Sequence, residues 1–278
     1  MTVEFSAFTL LMSIYSGTES TEFDRCLKSI VSQSRLPKLC VIVLDGPVSD
    51  AAISVLDSFE NDLRINRVVL EDNKGLGHAL DRGLKECQTD LVARMDSDDI
   101  CCPDRFEKQL RFLSNNPEVM VLGGAQKETI VNSNREANIR QLPLQHEDIK
   151  KFAKYRNPMN HPTVMFRRRA VLEVGGYEPF DLLEDYYLWM RMIIHGHKLA
   201  NLPDVMVESH VNYKFYRRRG GMRYVKSELR LAKQFRKMGA HSLIETTIFL
   251  LTRLPLRLIS GRWRAMAYTH VLRGYSAV

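Results

Sequence analysis

The chain has 278 residues, enough for one large domain or one domain with an appendage. A hydrophobic fraction of 45%, a charged fraction of 26% and five cysteines without a CxxC pair argue against a disulfide framework or a structural zinc site, and suit a reducing compartment. The net charge of +7 is uneven: residues 211–278 hold 15 Lys/Arg and 2 Asp/Glu, leaving 25 and 31 in residues 1–210.

An acidic body with a basic tail points to nucleic acid, anionic lipid or a phosphorylated substrate. A solvated basic helix face is the simpler alternative. The tail carries aromatics but no RNA-recognition signature, so no nucleic-acid partner is expected. The apolar start FSAFTLLMSIY follows Glu4 rather than a basic n-region, and no run reaches the roughly 18 apolar residues of a spanning helix.

In chain order, FTLLMSIY (8–15) reads as a strand and EFDRCLKSIVSQS (22–34) as a helix with Phe23, Leu27, Ile30 and Val31 on one stripe. LCVIVLD (39–45) is a strand closed by Asp45-Gly46-Pro47, AAISVLDSF (51–59) a helix and INRVVL (65–70) a strand. GLGHALDRGLKEC (75–87) is a helix with glycine at its start, DLVAR (90–94) a strand, and PDRFEKQLRFLSNN (103–116) a helix opened by proline. VMVLGGA (119–125) closes the series. Strand–helix alternation with fully apolar strands predicts a parallel sheet covered on both faces, with ligands beyond the carboxyl ends of its strands.

Beyond residue 125 the pattern loosens. HPTVMF (161–166) reads as a strand, FDLLEDYYLWMRMIIHG (180–196) as an amphipathic helix, KLANL and VMVES as short strands, and the chain from about Gly220 as basic helices. The cysteines, including the vicinal Cys101 and Cys102, read as small core-filling residues.

Three stretches carry chemistry. RMDSDD (94–99) ends an apolar strand in three acids. In an extended segment Asp96 and Asp98 point one way and Asp99 the other. Two carboxylates at a sheet rim suit Mg2+ or Mn2+, which keep open positions for substrate phosphates; a turn with a helix cap fits the same six residues. Asp99 is expected to cap the helix near Pro103 or brace the loop. In LLEDYYLWMRM, Glu184 and Asp185 fall in a first helical turn, where the helix dipole favours acids; either could also face a pocket as a general base. In EDNKGLGHALDRG, Lys74 with Gly75 and Gly77 precedes a helix N-terminus suited to a diphosphate. His161, before a strand, is a candidate contact, whereas His78, His195, His197, His241 and His270 are expected to face solvent or satisfy local hydrogen bonds. No nucleophile elbow, HExxH or P-loop is present.

The ordered series LMSIYSG, SIVSQS, VIVLDGPV, DNKGLGHALDRGL, ARMDSDDICCPDRFEKQL, NPMNHPTVMFRR, VGGY, LLEDYYLWMRM and FYRRRGG resembles the family 2 glycosyltransferases, particularly the bacterial O-antigen and exopolysaccharide (amylovoran-type) enzymes. The resemblance implies an α/β GT-A fold: a mostly parallel nucleotide-binding sheet flanked by helices over residues 1–215, with a basic helical region over 216–278. It implies an inverting transfer of a hexose, glucose or galactose, from a UDP-sugar to a lipid-diphosphate-linked (undecaprenyl-type) saccharide. Mn2+ or Mg2+ would assist, at the cytoplasmic face of the inner membrane, with the basic region on anionic lipid.

Carried over by position, Tyr15 and Asp45 would hold the nucleobase, Lys74 the nucleotide, Asp96 the ribose and metal, and Asp98 the metal. Asp185 would be the base and Glu184 its orienting neighbour, with His161, His210 and Arg218 as acceptor or diphosphate contacts. Two departures stand out: His210-Val211-Asn212 where the family often has Arg-Val-Gly, and Ser16 where Asn is common. They leave room for a non-catalytic nucleotide- or glycan-binding module.

Overall fold

The computed structural model describes residues 6–130, 137–211, 219–259, 261 and 264. Arg218, His270 and the boundary expected near residue 215 fall outside them.

The first half follows the alternation closely. Strand β1 (Phe8–Tyr15) is followed by α1 (Ser20–Val31), β2 (Leu39–Asp45), α2 (Asp50–Ser58), β3 (Ile65–Leu70), α3 (Leu76–Glu86) and β4 (Leu91–Arg94). A short β5 (Asp99–Cys101), α4 (Arg105–Asn115), β6 (Val119–Ile130) and β7 (Asn138–Arg140) come next. Then follow α5 (His146–Ala153), a 3-10 turn (His161–Thr163), β8 (Met165–Arg167), α6 (Arg168–Glu173), α7 (Glu184–Ile194) and β9 (Lys198–Val211). Helices α8 (Met222–Lys237) and α9 (Leu243–Leu258) complete the order.

One sheet runs β3-β2-β1-β4-β8-β6-β9-β5, with β7 on the side of β6. β1 to β4 pair in parallel, and β6 pairs in parallel with β9; β8, β5 and β7 are antiparallel to their neighbours. The sheet is thus mostly parallel in strand direction. Side chains alternate across it, as the period of two requires. Leu10, Met12 and Ile14 face a core shared with α1, α2 and α4, and Leu11, Val41 and Val43 face one shared with α3, α6, α7, α8 and α9. Burial on both faces is why all seven residues of β2 are buried and why these strands read as unbroken apolar runs.

The second half departs from expectation in three places. HPTVMF is not one strand, because Pro162 has no N–H to donate to a ladder and sits in the 3-10 turn, so only Met165–Arg167 pairs. KLANL and VMVES form one strand, β9, whose register with β6 shifts between Gly124 and Gln126. His241 is buried rather than solvent-facing: its ring packs 5.0 Å from Phe235 and 5.4 Å from Phe249.

Phe235 in turn meets Tyr186 of α7 at 5.2 Å, edge to face. Through Leu231, Phe235 and Phe249, helices α8 and α9 join the core beneath α7. All five cysteines are free thiols, four of them buried. No described helix is long and apolar enough to cross a membrane.

Candidate active site

Tyr15 and Asp45 end β1 and β2 side by side in register, at the carboxyl edge of the sheet. Tyr15 is exposed, with its ring over Gly17. Asp45 is buried and accepts the backbone N–H groups of Lys74 (2.8 Å) and Gly75 (3.0 Å), so its carboxylate fixes the loop that leads into α3. That loop crosses directly over Gly46, at φ +78, where a Cβ would stand 2.5 Å from the Asn73 nitrogen; only glycine permits the crossing. The Lys74 side chain is exposed.

β4 ends in Arg94, and the chain then turns rather than continuing extended. The turn overturns the alternation expected for RMDSDD. Asp99 does not face away or cap α4: it starts β5, pairs with Ser209 of β9 and is buried. Carboxylate oxygens of Asp96, Asp98 and Asp99 lie within 4.8 Å of one another. Asp98, although exposed at the rim, has its pKa pushed up to about 6 by partial desolvation of its carboxyl and by the Asp96 charge. Asp99 is raised well above the usual range by burial and then by Asp96 and Asp98, against a hydrogen bond from the Ser209 hydroxyl. Three converging hard oxygens that repel one another fit a divalent cation, whose charge would relieve that repulsion.

Arg94 is the pivot that sequence reasoning missed. Its side chain is 1% exposed and grips Asp96 through both terminal nitrogens, Nη1 to Oδ2 at 2.8 Å and Nη2 to Oδ1. Arg105, also buried, donates to the Arg94 carbonyl at 2.7 Å and holds the end of β4 in place. The signal was present in the sequence: an arginine closing a buried strand beside a run of acids must have a partner among them.

Glu184 and Asp185 open α7 on the other side of the same cavity, of about 580 Å3, which Arg94, Asp96, Asp98 and Asp99 also line. Leu182, two residues earlier, has φ +68, a left-handed conformation costly for a leucine and of the kind that clusters at functional sites. Asp185 accepts from Asn157 Nδ2 at 2.5 Å and from the Tyr186 N–H at 2.7 Å. Burial raises its pKa, and those two hydrogen bonds oppose the rise. Glu184 is 8% exposed and pushed up to about 8 by burial and then by the Asp185 charge. Two adjacent carboxyls thus have different surroundings: Glu184 is held protonated at neutral pH, and Asp185 has donors that favour its anion.

His161 and His210 line the same cavity. His161 shares a 2.9 Å hydrogen bond with the Tyr177 hydroxyl, and burial and then the Arg94 charge keep it neutral. Tyr15, Asp45 and Lys74 stand outside the cavity's lining, on the rim of β1 to β3. The structure therefore unites the acids and histidines in one chamber and sets the expected nucleotide contacts beside it.

A sheet with acids gathered beyond its carboxyl ends, and a helix start presenting two more, is the GT-A glycosyltransferase arrangement. The mannosyltransferase PcManGT of Pyrobaculum calidifontis, solved with GDP-Man and Mn2+, superposes with a TM-score of 0.65 at 15% identity, over 99% of this chain and 77% of that one. The glycosyl transferase family 2 model matches residues 11–176, and the chain belongs to that family. It is 38% identical to the amylovoran biosynthesis glycosyltransferase AmsE of Erwinia amylovora, over 96% of this chain and 100% of that relative. It is 35% identical to an Escherichia coli UDP-Gal:alpha-D-GlcNAc-diphosphoundecaprenol beta-1,3-galactosyltransferase, over 96% and 97%.

Proposed function

We propose that this glycosyltransferase moves a hexose, glucose or galactose, from a UDP-sugar to a hydroxyl of a lipid-diphosphate-linked saccharide, with inversion, in O-antigen or exopolysaccharide assembly. The observation that carries this reading is the single cavity holding three converging aspartates and a hydrogen-bonded Asp185. Asp185 takes the acceptor proton as the acceptor oxygen bonds to the anomeric carbon and the bond to the UDP oxygen breaks. Glu184, protonated, orients the acceptor without adding a second charge beside the base. Asp96, Asp98 and Asp99 would hold Mg2+ or Mn2+, which would supply positive charge for the departing diphosphate. Tyr15, Asp45 and the Lys74 loop receive the nucleoside, and His210 takes the place of a phosphate-binding arginine.

The likeness to a galactosyltransferase named for a diphosphoundecaprenol acceptor supports the lipid-linked substrate. The surface of the C-terminal pair supports a peripheral site on the anionic cytoplasmic face of the inner membrane. α9 exposes Leu243, Ile244, Ile248, Leu251 and Leu258 along one side, with Leu251 at 68%. α8 exposes Lys226, Arg230, Lys233, Arg236 and Lys237. An apolar stripe beside a cationic row is the composition of helices that rest in the lipid headgroup layer. Arg253, Arg257 and Arg264 of the basic region take no part in that surface, because they are buried or nearly so. The 216–278 region is thus proposed as a membrane-docking wall on the 1–215 catalytic domain.

The test is a panel of nucleotide sugars assayed for UDP release against a synthetic sugar-diphosphate-lipid, with and without Mn2+. One UDP-hexose should be consumed only when acceptor and metal are both present. Nucleotide release from no donor would reject the reading.

A further inference from the structure

Asp185, at the start of α7, has a separate donor on each carboxylate oxygen. The Tyr186 N–H meets Oδ1 at 2.7 Å, and the Asn157 side chain meets Oδ2 at 2.5 Å. A carboxylate has about four acceptor sites, so two stay open for an acceptor hydroxyl. The first donor comes with the helix itself. The second comes from a loop 28 residues earlier in sequence and owes its place to tertiary structure.

That loop is built to present an amide. It joins α5 to the 3-10 turn, and Pro158 disfavours a helical conformation at Asn157. The Met159 N–H donates to Asn157 Oδ1 at 3.3 Å, a bond from the backbone two residues on to an asparagine side chain. With its oxygen engaged in this way, the amide turns its nitrogen toward Asp185 and meets the carboxylate as a donor. Further along, the Pro158 carbonyl accepts from Asn201 Nδ2 at 3.2 Å. Asn160 Nδ2 donates to the carbonyls of Gly124 at 2.8 Å and Arg140 at 3.0 Å. Through the buried Asn160 and Asn201 the loop is fixed to β6, β7 and β9, and Asn157 is carried to the acid at a set distance.

A neutral donor suits a base better than a cation. A guanidinium in contact would tie the carboxylate into an ion pair and weaken it as a proton acceptor. An amide stabilises the anion, fixes its rotation and does not take up the proton itself. Other charged or titratable groups surround Asp185: Arg94 of β4 and Arg140 of β7, which favour its anion, Glu184 beside it, and Tyr177 before α7. Arg156 and His161 line the same cavity, and Arg253 lies over the Tyr186 ring. Arginines keep their charge over the working range, and burial holds the Tyr177 hydroxyl and the His161 ring neutral. Glu184 releases its proton only toward pH 8, so none of these groups produces a step at acid pH.

We propose that Asn157 is a positioning residue for the transfer: its amide fixes the rotation of the Asp185 carboxylate and holds it as the anion that receives the acceptor proton. This rests on the reading of Asp185 as the base of a glycosyl transfer.

The experiment records kcat and kcat/KM against pH for wild type, Asn157→Ala and Asn157→Asp, with saturating Mn2+ so that Asp98 and its neighbours stay ionised. Asn157→Asp keeps the side-chain shape and the oxygen that accepts from Met159, but puts an acceptor where the donor was. A base without its donor holds its proton to higher pH. The acid limb of kcat/KM should therefore move up by about one pH unit in Asn157→Ala, the value of a hydrogen bond to a charged group. It should move further in Asn157→Asp, because two touching carboxyls do not both ionise. At neutral pH kcat should fall by about tenfold or more in both variants, with KM for either substrate within about twofold of wild type. Thermal melting and UDP binding by calorimetry check that each variant folds, and either one alone decides the question. An acid limb that stays in place would overturn the proposal, even with kcat reduced, since Asn157 would then only brace the loop. A loss confined to KM would also overturn it. Transfer from no donor by the wild type would instead reject the glycosyltransferase reading, and a wild-type rate in Asp185→Asn would reject the base.

Discussion

The acidic rim of the sheet and the basic helical pair at the C-terminus handle charge in opposite ways. At the rim, Asp98 and Asp99 lie together with raised pKa values, near the fully buried Arg94 and Arg105. In the helical pair, Glu228 and the two arginines satisfy one another; burial would raise the Glu228 pKa, but Arg253 and then Arg257 outweigh it and hold it below the ordinary range. The first cluster gathers three carboxylates that repel one another, and in the second the buried carboxylate is met by two guanidinium groups of the fold.

That contrast can be broken by mutation. Glu228→Ala leaves two buried guanidinium groups without their carboxylate and should cost about 3–5 kcal/mol, the usual penalty for breaking a buried pair. Asp98→Asn, by relieving repulsion at the rim, should leave the melting temperature unchanged or raise it. A Glu228 variant as stable as wild type would erase the distinction between the two clusters.

A smaller effect is expected at the outer face of α9. Leu251→Asp and Leu258→Asp should each reduce co-sedimentation with anionic vesicles several-fold, given about 25 cal/mol for each Å2 of apolar surface buried away from water. Reversing Lys233 and Arg236 should lower binding only at low salt. Vesicle binding indifferent to both sets would remove the membrane from the account.

A pH-dependent effect concerns Glu184, and its sign is fixed by the direction of the shift. The folded-state pKa of about 8 lies above the ordinary carboxylate range, so the folded protein keeps a proton that the unfolded chain releases. The stability this contributes is present at acid pH and is lost as pH rises toward 8, with a slope of up to about 1.4 kcal/mol per pH unit. Glu184→Gln fixes the neutral form, so its stability relative to wild type should grow from pH 5 to pH 8. A difference independent of pH would show that Glu184 is ionised in the folded state.

Much of this was legible in the sequence where a period of two or 3.6 governs burial. β1, β2 and β3 match the apolar runs residue for residue, and Asp96, Asp98, Glu184 and Asp185 line one cavity. The orientation of Asp99 was not legible, because a turn at Ser97 and Asp98 cancels strand alternation and nothing local announces it. The inward-facing Arg253 and Arg257 could not be told from the rest of the basic tail, because their partner, Glu228, is supplied by another helix. Asn157 was invisible for the same reason: its role depends on contact with a carboxylate 28 residues away in sequence. Composition placed the basic charge in the right segment, but only packing shows which cations face inward.

The central claim is that one cavity joins a metal-binding acid cluster to a separate base. It is tested most directly by Asp185→Asn, assayed for transfer to a sugar-diphosphate-lipid and, in parallel, for UDP binding by calorimetry. The account predicts transfer reduced by about a thousandfold or more, in line with loss of a general base, with UDP affinity within about twofold of wild type. Transfer near the wild-type rate, or loss of UDP binding together with transfer, would contradict it.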